Sequence, residues 1–208
     1  MVAITLPDGS VRNFEGPVSG ADLAAGISGR RARLGEVAQD NDSLQAFLSG
    51  KFDLALEEAA QRAAREYEAA SMDFDAPIAE RERTLSPSDF GFHNVLRVDG
   101  SLFFVDFEYA GWDDPAKLIC DFGCHPEIPV SDEYLQALKN SFYPYLENAE
   151  NSIHRSEILM PLYRLKWCCI MLNEFTSVGR ARRKFAGEIF DFENQFQKSK
   201  TYFNKYLN

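Results

Sequence analysis

Apolar residues alternate in only a few short stretches of this chain and elsewhere recur at helical spacing. Val2–Leu6 and Val11–Phe14 flank Pro7-Asp8-Gly9-Ser10, a pattern that predicts a β-hairpin. Ser19 is placed to cap a short helix over Ala21–Ile27, ended by Ser28-Gly29. Arg30, Arg31, Arg33 and Gly35, then Gln39–Asp42, read as an exposed connector. Ser43 is expected to cap a long helix reaching Ala70, with an interruption at Gly50. Its stripe comprises Leu44, Phe47, Leu48, Phe52, Leu54, Leu56, Ala59, Ala63 and Tyr67.

Residues 73–83 form a proline-containing loop, and Val95–Val98 with Leu102–Phe107 predict a second hairpin turned by Asp99-Gly100. From Asp114 onward the periodicity predicts helices over 115–124, 131–147, 152–178 and 181–206. Pro144 and Pro161 mark kinks or ends there, and Gly179 and Gly187 mark breaks. The fold class is α+β: a hairpin-and-helix appendage over 1–42, and a mostly helical part with one short hairpin over 43–208.

Composition narrows the function classes. A net charge of −10 argues against broad binding to nucleic acid or to anionic membranes. The 17 Phe predict a core rich in ring packing. Cys120, Cys124, Cys168 and Cys169 lack zinc-site spacing and read as buried, reduced thiols of a cytoplasmic protein. No apolar run approaches membrane-spanning length; the longest candidate, Trp167–Leu172, reads as core helix.

The candidate chemistry lies in Asp89-Phe90-Gly91-Phe92-His93-Asn94 and, beyond a hairpin, in Asp106. An Asp, an Asn five residues on and an Asp closing an apolar strand form a set suited to phosphoryl transfer. The first carboxylate orients and deprotonates a hydroxyl, while the Asn and second Asp offer the hard oxygens that magnesium prefers. Glu108, two residues beyond Asp106, falls on the same side of an extended strand. Asp and Asn also favour turns and strand ends for purely local reasons, so spacing leaves both readings open.

Leu85–Leu96 together with Phe104-Val105-Asp106-Phe107-Glu108 resembles the aminoglycoside phosphotransferase and choline kinase family. That family's loop reads H-G-D-x-x-x-x-N, and its metal strand ends in an acidic-aromatic-acidic triplet. Asp114-Pro115-Ala116 is similar to the D-P-A that follows in that family. The resemblance covers residues 43–205. It implies a protein-kinase-like C-terminal lobe, with Asp89 as catalytic base and Asn94 and Asp106 as ligands of magnesium. The implied activity is transfer of the ATP γ-phosphate to a small-molecule hydroxyl.

Pro87-Ser88 replaces the family's His-Gly. Lys117-Leu118 stands where an acidic residue often anchors the loop, and whether Asp121 substitutes is open. The residues before Ser43 contain neither a Gly-rich phosphate loop nor a strand lysine. The nucleotide-holding half is therefore expected to be missing here, so that activity would need a lobe from elsewhere, a partner chain being one source; a gene fusion, a mis-joined reading frame or a truncation would give the same pattern.

Residues 2–29 resemble the opening of the TGS domain of threonyl-tRNA synthetases, which implies an accessory, RNA-facing role. Trp112, Asp114 and Glu174 are candidates for an acidic, aromatic-walled pocket; acidic and aromatic groups suit an amine-bearing acceptor. His93, His125 and His154 read as structural, and Arg180, Arg182, Arg183 and Lys184 as a solvated helix end. The readings carried forward are a small-molecule phosphotransferase, an inactive binding module of the same ancestry, and an RNA-associated accessory protein.

Overall fold

Helices built on the expected stripes dominate the computed structural model, which describes residues 2–5, 11–14, 19–39, 41–107, 110–185 and 191–207. The fold is mostly helical α+β, with short antiparallel strand pairs. The chain divides into two compact units, Met1–Gly20 with Tyr67–Met160 and Ala21–Glu66 with Pro161–Asn208. This division interleaves along the chain and has no break at residue 42.

The first unit holds all the described strands. β1 (Val2–Thr5) pairs with β2 (Val11–Phe14) in the register Val2↔Phe14, as the alternation predicts. β3 (Thr84–Ser86) pairs with β6 (Gly111–Asp113), a pairing with no signal in the local pattern. β4 (Val95–Val98) and β5 (Ser101–Phe104) form the second hairpin. Asp99 and Gly100 turn it with φ of 49° and 82°. Two consecutive left-handed residues match strand twist, and Asp-Gly tolerates them at low cost.

α4 (Pro115–Cys124) starts with Asp114 as N-cap and Pro115 at its first position. Its apolar face is buried, and Leu118 and Ile119 join Tyr143 in a cluster packed by Phe90, Leu135, Leu138 and Ile153. Gly123 brings α4 against α5 (Asp132–Phe142): a Cβ there would lie 3.0 Å from a Leu135 methyl. The Tyr143 hydroxyl shares a 3.0 Å hydrogen bond with Ser156 on α6 (Ala149–Leu172). α5 ends at Phe142, before the expected 147, because Tyr143-Pro144-Tyr145 tightens into a 3-10 turn.

The second unit corrects the expectation for residues 21–42. One helix, α1 (Gly20–Ala38), runs through Ser28-Gly29 and the arginine run. Leu23, Ile27, Leu34 and Ala38 are all buried, so one stripe continues past the glycine. A single glycine costs roughly 1 kcal/mol, less than burying Leu34 alone returns. Arg31 leaves this helix as one half of a two-pronged ion pair with Asp53, at 2.7 and 2.8 Å.

α2 (Asp42–Phe47) is capped by Asn41 and not by Ser43; the Asn41 side chain accepts the Leu44 N–H at 2.9 Å. The interruption expected at Gly50 is a π-helical turn, Leu48–Phe52, leading into α3 (Asp53–Ala69). Leu54, assigned to the buried stripe, is 59% exposed, since the extra π-turn residue rotates the helical face that follows it. Phe47 packs edge-on against Phe196 and Phe203 of α8 (Phe192–Tyr206), so the phenylalanine-rich composition is realised in this core.

Pro161 neither kinks α6 to an end nor starts a new helix; the helix break falls at Asn173–Thr176. There the Thr176 hydroxyl accepts the Gly179 N–H and opens α7 (Ser177–Phe185). Gly179 lies inside that helix because a Cβ would collide with the Asn173 carbonyl. Gly187 lies outside the described residues. All four cysteines are buried, and none is in a disulfide.

Candidate functional site

The Asp89 loop begins where β3 ends. Ser86 is buried, and its Oγ accepts the Ser88 N–H at 3.0 Å. Ser88 takes a left-handed φ of 71°, and the Asp89 N–H returns to the Pro87 carbonyl at 2.9 Å. This is a sharp corner, and Lys117 on α4 pins it. Its Nζ donates to the Ser88 carbonyl at 3.1 Å and to Ser88 Oγ at 2.9 Å. The same ammonium reaches Asp113 at 2.9 Å and Asp121 at 3.5 Å.

Lys117 is thus the loop's anchor, with Asp121 as its buried counter-charge. Sequence reading missed this role, although the i,i+4 spacing of Asp113, Lys117 and Asp121 is its signal. Burial works against the charged form of Lys117, but Asp121 and then Asp113 outweigh it and raise its pKa above the ordinary value.

Phe90 points the other way and stacks on Phe104 and Phe122 at 5.5 and 5.3 Å, holding the loop to the hairpin and to α4. Asn94 closes the loop: its Nδ2 donates to the Asp89 carbonyl at 3.0 Å. Its own carbonyl accepts the Val105 N–H at 3.0 Å, which ties the residue before Asp106 to the loop. Asp89 and Asn94 share a cavity of about 250 Å³ with Pro87, Phe90, Gly91, Phe104, Val105 and Phe107.

Asp106 is flanked by two residues of that wall but is not itself in the lining. Contrary to expectation it does not end the strand: β5 stops at Phe104, and Asp106 takes a left-handed φ of 64° on the exposed segment beyond. The Asn94–Val105 bond continues the β4–β5 register by one position, and pairing stops there because Phe92–Asn94 is a 3-10 turn whose Asn94 N–H bonds the Gly91 carbonyl. Glu108 lies outside the described residues. Among the described residues, no group of three or more His, Cys, Asp or Glu is placed to share a metal ion. Asn94 Oδ1 and the Asp106 carboxylate are hard oxygens of the kind magnesium takes, one or two of which usually suffice beside phosphates and water.

His93 lies 3.3 Å from Asp89 and stacks on His125, with ring centroids 3.7 Å apart and planes 6° from parallel. Gly91 has no side chain because a Cβ would sit 2.6 Å from His93 Nδ1. Burial first, then the neighbouring His93, pushes the His125 pKa from 6.5 down to about 4, against the opposing pull of Asp89, Glu127 and Asp121.

Between these values the unfolded chain holds the extra proton, so this contribution is whole above pH 6.5 and is lost as pH falls toward 4. The expected loss is at most about 3 kcal/mol. Urea unfolding across that window should show a slope that His125→Phe, which keeps a flat ring against His93, flattens. An unchanged slope would show that the acid sensitivity lies elsewhere.

The remaining candidates fall in separate settings along the chain. Asp114 is a buried helix cap, its Oδ1 accepting the Ala116 N–H at 2.8 Å, and is paired with Arg155. Trp112 is exposed and sits across from Leu85 in the β3–β6 pair, where it is not core. Glu174 lies in the 3-10 turn Asn173–Phe175.

The β4–β5 hairpin and the segment after it carry a feature absent from the sequence reading. Leu96 and Phe103 face each other on the hairpin at 55% and 53% exposure, and Val98, Leu102 and Phe107 are also exposed. Comparison with family models, curated proteins and solved structures finds no match for this chain. Among the described residues, no helix is long and apolar enough to cross a membrane.

Proposed function

We propose that this chain carries the base-and-cation half of an ATP- and magnesium-dependent small-molecule O-phosphotransferase, completed by a partner chain that covers the nucleotide. The observation that carries this reading is the joint placement of Asp89 and Asn94 on one cavity, with the Asn94–Val105 bond setting Asp106 beside it.

The Asp89 carboxylate is 48% exposed, so a substrate hydroxyl can reach it. It aligns that hydroxyl and accepts its proton late, which needs no strongly raised pKa. Asn94 Oδ1 and Asp106 would hold magnesium, which when bound would supply charge compensation for the phosphoryl group. The Lys117–Ser88 clamp keeps the base at one position, and positioning is most of what such catalysis requires.

The exposed Leu96–Phe103 pair favours a completing partner, because exposed apolar pairs of this kind are often covered in the working assembly. The same pair supports the second reading, a binding module without turnover. Calorimetry with MgATP separates them. The phosphotransferase reading expects binding that Asp106→Ala weakens about 10–100-fold. No heat at millimolar MgATP would defeat it for this chain alone, and a thermal shift with an amino alcohol but none with MgATP favours the module. An RNA-associated role through the β1–β2 hairpin predicts salt-sensitive tRNA binding that survives Asp89→Ala and disappears without residues 1–42.

A further inference from the structure

We infer that the acceptor taken at the Asp89–Asn94 cavity is an aryl alcohol, one aromatic ring carrying a hydroxyl on a short arm. This acceptor class rests on the phosphotransfer reading and completes that same site. The cavity's volume of about 250 Å³ falls below the roughly 300–1,000 Å³ of sites for drug-sized ligands, so its guest is small.

The wall selects an apolar body. Among the described residues of the lining, only Asp89 and Asn94 carry polar side chains. Phe90, next in sequence to Asp89, stacks on Phe104 with ring planes 22° apart, so an aromatic surface begins one residue from the carboxylate. Phe104, Val105 and Phe107 are nevertheless 44%, 38% and 55% exposed. Apolar surface of this kind gains from a guest that displaces its water. A guest ring also meets phenylalanine in the offset or edge-on contacts that aromatic pairs favour.

The polar groups select a single hydroxyl. Asn94 Nδ2 donates to the Asp89 carbonyl, and Asn94 Oδ1 is the magnesium ligand of the proposed reaction. The half-exposed Asp89 carboxylate is therefore the acceptor at hand for one O–H. A polyol would surrender water along Phe104, Val105 and Phe107, whose side chains offer no acceptor in return. An ammonium carries three donors and meets the same apolar wall. In the transfer, the alcohol oxygen bonds the γ-phosphorus of ATP and the bond from that phosphorus to the bridging oxygen of the departing ADP breaks. The hydroxyl proton passes to Asp89. This class departs from the amine-bearing acceptor that Trp112, Asp114 and Glu174 suggest in the sequence.

The test titrates phenethyl alcohol into the full chain without nucleotide, with glycerol and ethanolamine as ring-free controls. The aryl alcohol is expected to bind by calorimetry and to raise Tm, and the controls are not. Phe107→Ala removes an exposed ring of the wall, so it should fold and bind about 2–10-fold more weakly. Asp89→Asn keeps the side-chain shape without its charge and should also weaken binding. No binding of phenethyl alcohol at millimolar concentration overturns the proposal. So does an equal response to either control, or an affinity unchanged in both variants. MgATP is titrated separately into the same protein. If it binds and phenethyl alcohol does not, the aryl-alcohol class fails and the phosphotransfer reading stands. If phenethyl alcohol binds and MgATP does not, that reading fails for this chain alone and the cavity keeps its ligand class.

Discussion

Replacing Arg155 with Met is expected to destabilise the first unit by about 3–5 kcal/mol, the range for removing one partner of a buried ion pair. The Arg155 and Asp114 side chains are only 5% and 9% exposed. The guanidinium grips both carboxylate oxygens while Asp114 also caps α4 through Ala116, so one substitution unsettles a charge and a helix start together. Without Arg155, a negative charge is left in a site that has already paid to exclude water.

The direction of the pH dependence gives a second readout. Burial raises the Asp114 pKa above 3.8, and Arg155, then the Ala116 bond, pull it back. Removing Arg155 lifts it further. A carboxyl raised on folding takes up a proton in the window above its unfolded value, so stability there declines as pH climbs. The Arg155→Met deficit should thus be largest at neutral pH and shrink in mild acid. Adding Asp114→Asn, which keeps an oxygen for the cap without the charge, should restore part of the loss. Urea midpoints of the two single variants and the double variant decide it, and a deficit independent of pH and of residue 114 would refute the electrostatic account.

Lys117→Met is expected to cost about 3–4 kcal/mol and to release the Asp89 loop. The Lys117 side chain is 16% exposed and Asp121 3%, so Asp121 loses a counter-charge in a nearly dry site. Ser88 loses both of its bonds to Lys117 while holding a left-handed backbone. Amide exchange at Asp89, whose N–H closes on Pro87, should speed up far more than in α5. Because the Lys117 pKa is raised, its contribution is whole below 10.5 and is lost as pH rises through the higher folded value. The wild type and Lys117→Met should therefore converge in strong alkali. Equal stability at neutral pH would show that Ser88 and Asp89 hold their corner without the lysine.

Much of the local structure was legible because it follows from local rules. Asp99-Gly100 requires left-handed φ and sets a hairpin, and Asp114-Pro115 starts a helix as such pairs do. Asp89 and Asn94 were placed together by a spacing of five residues, and the bond from Nδ2 to the Asp89 carbonyl closes that loop. Asp106 was less legible: a run of apolar residues predicted strand to Phe107, and nothing local announced that the facing segment would turn into the 3-10 stretch Phe92–Asn94 and leave no partner beyond Val105. The same holds for α1, where Ser28-Gly29 looked like an end and the burial of Leu34 and Ala38 carried the helix through.

Local pattern thus decided the helical class, the two hairpins and the Asp89–Asn94 loop, since periodicity and turn chemistry act over a few residues. Tertiary structure alone decided which charges became structural. Arg155 meets Asp114 and Glu82 across 41 and 73 positions, and Lys117 meets Ser88 across 29, pairings that local sequence cannot specify. It also decided that Leu96 and Phe103 face outward, because burial depends on what the rest of the chain leaves uncovered and not on apolar character.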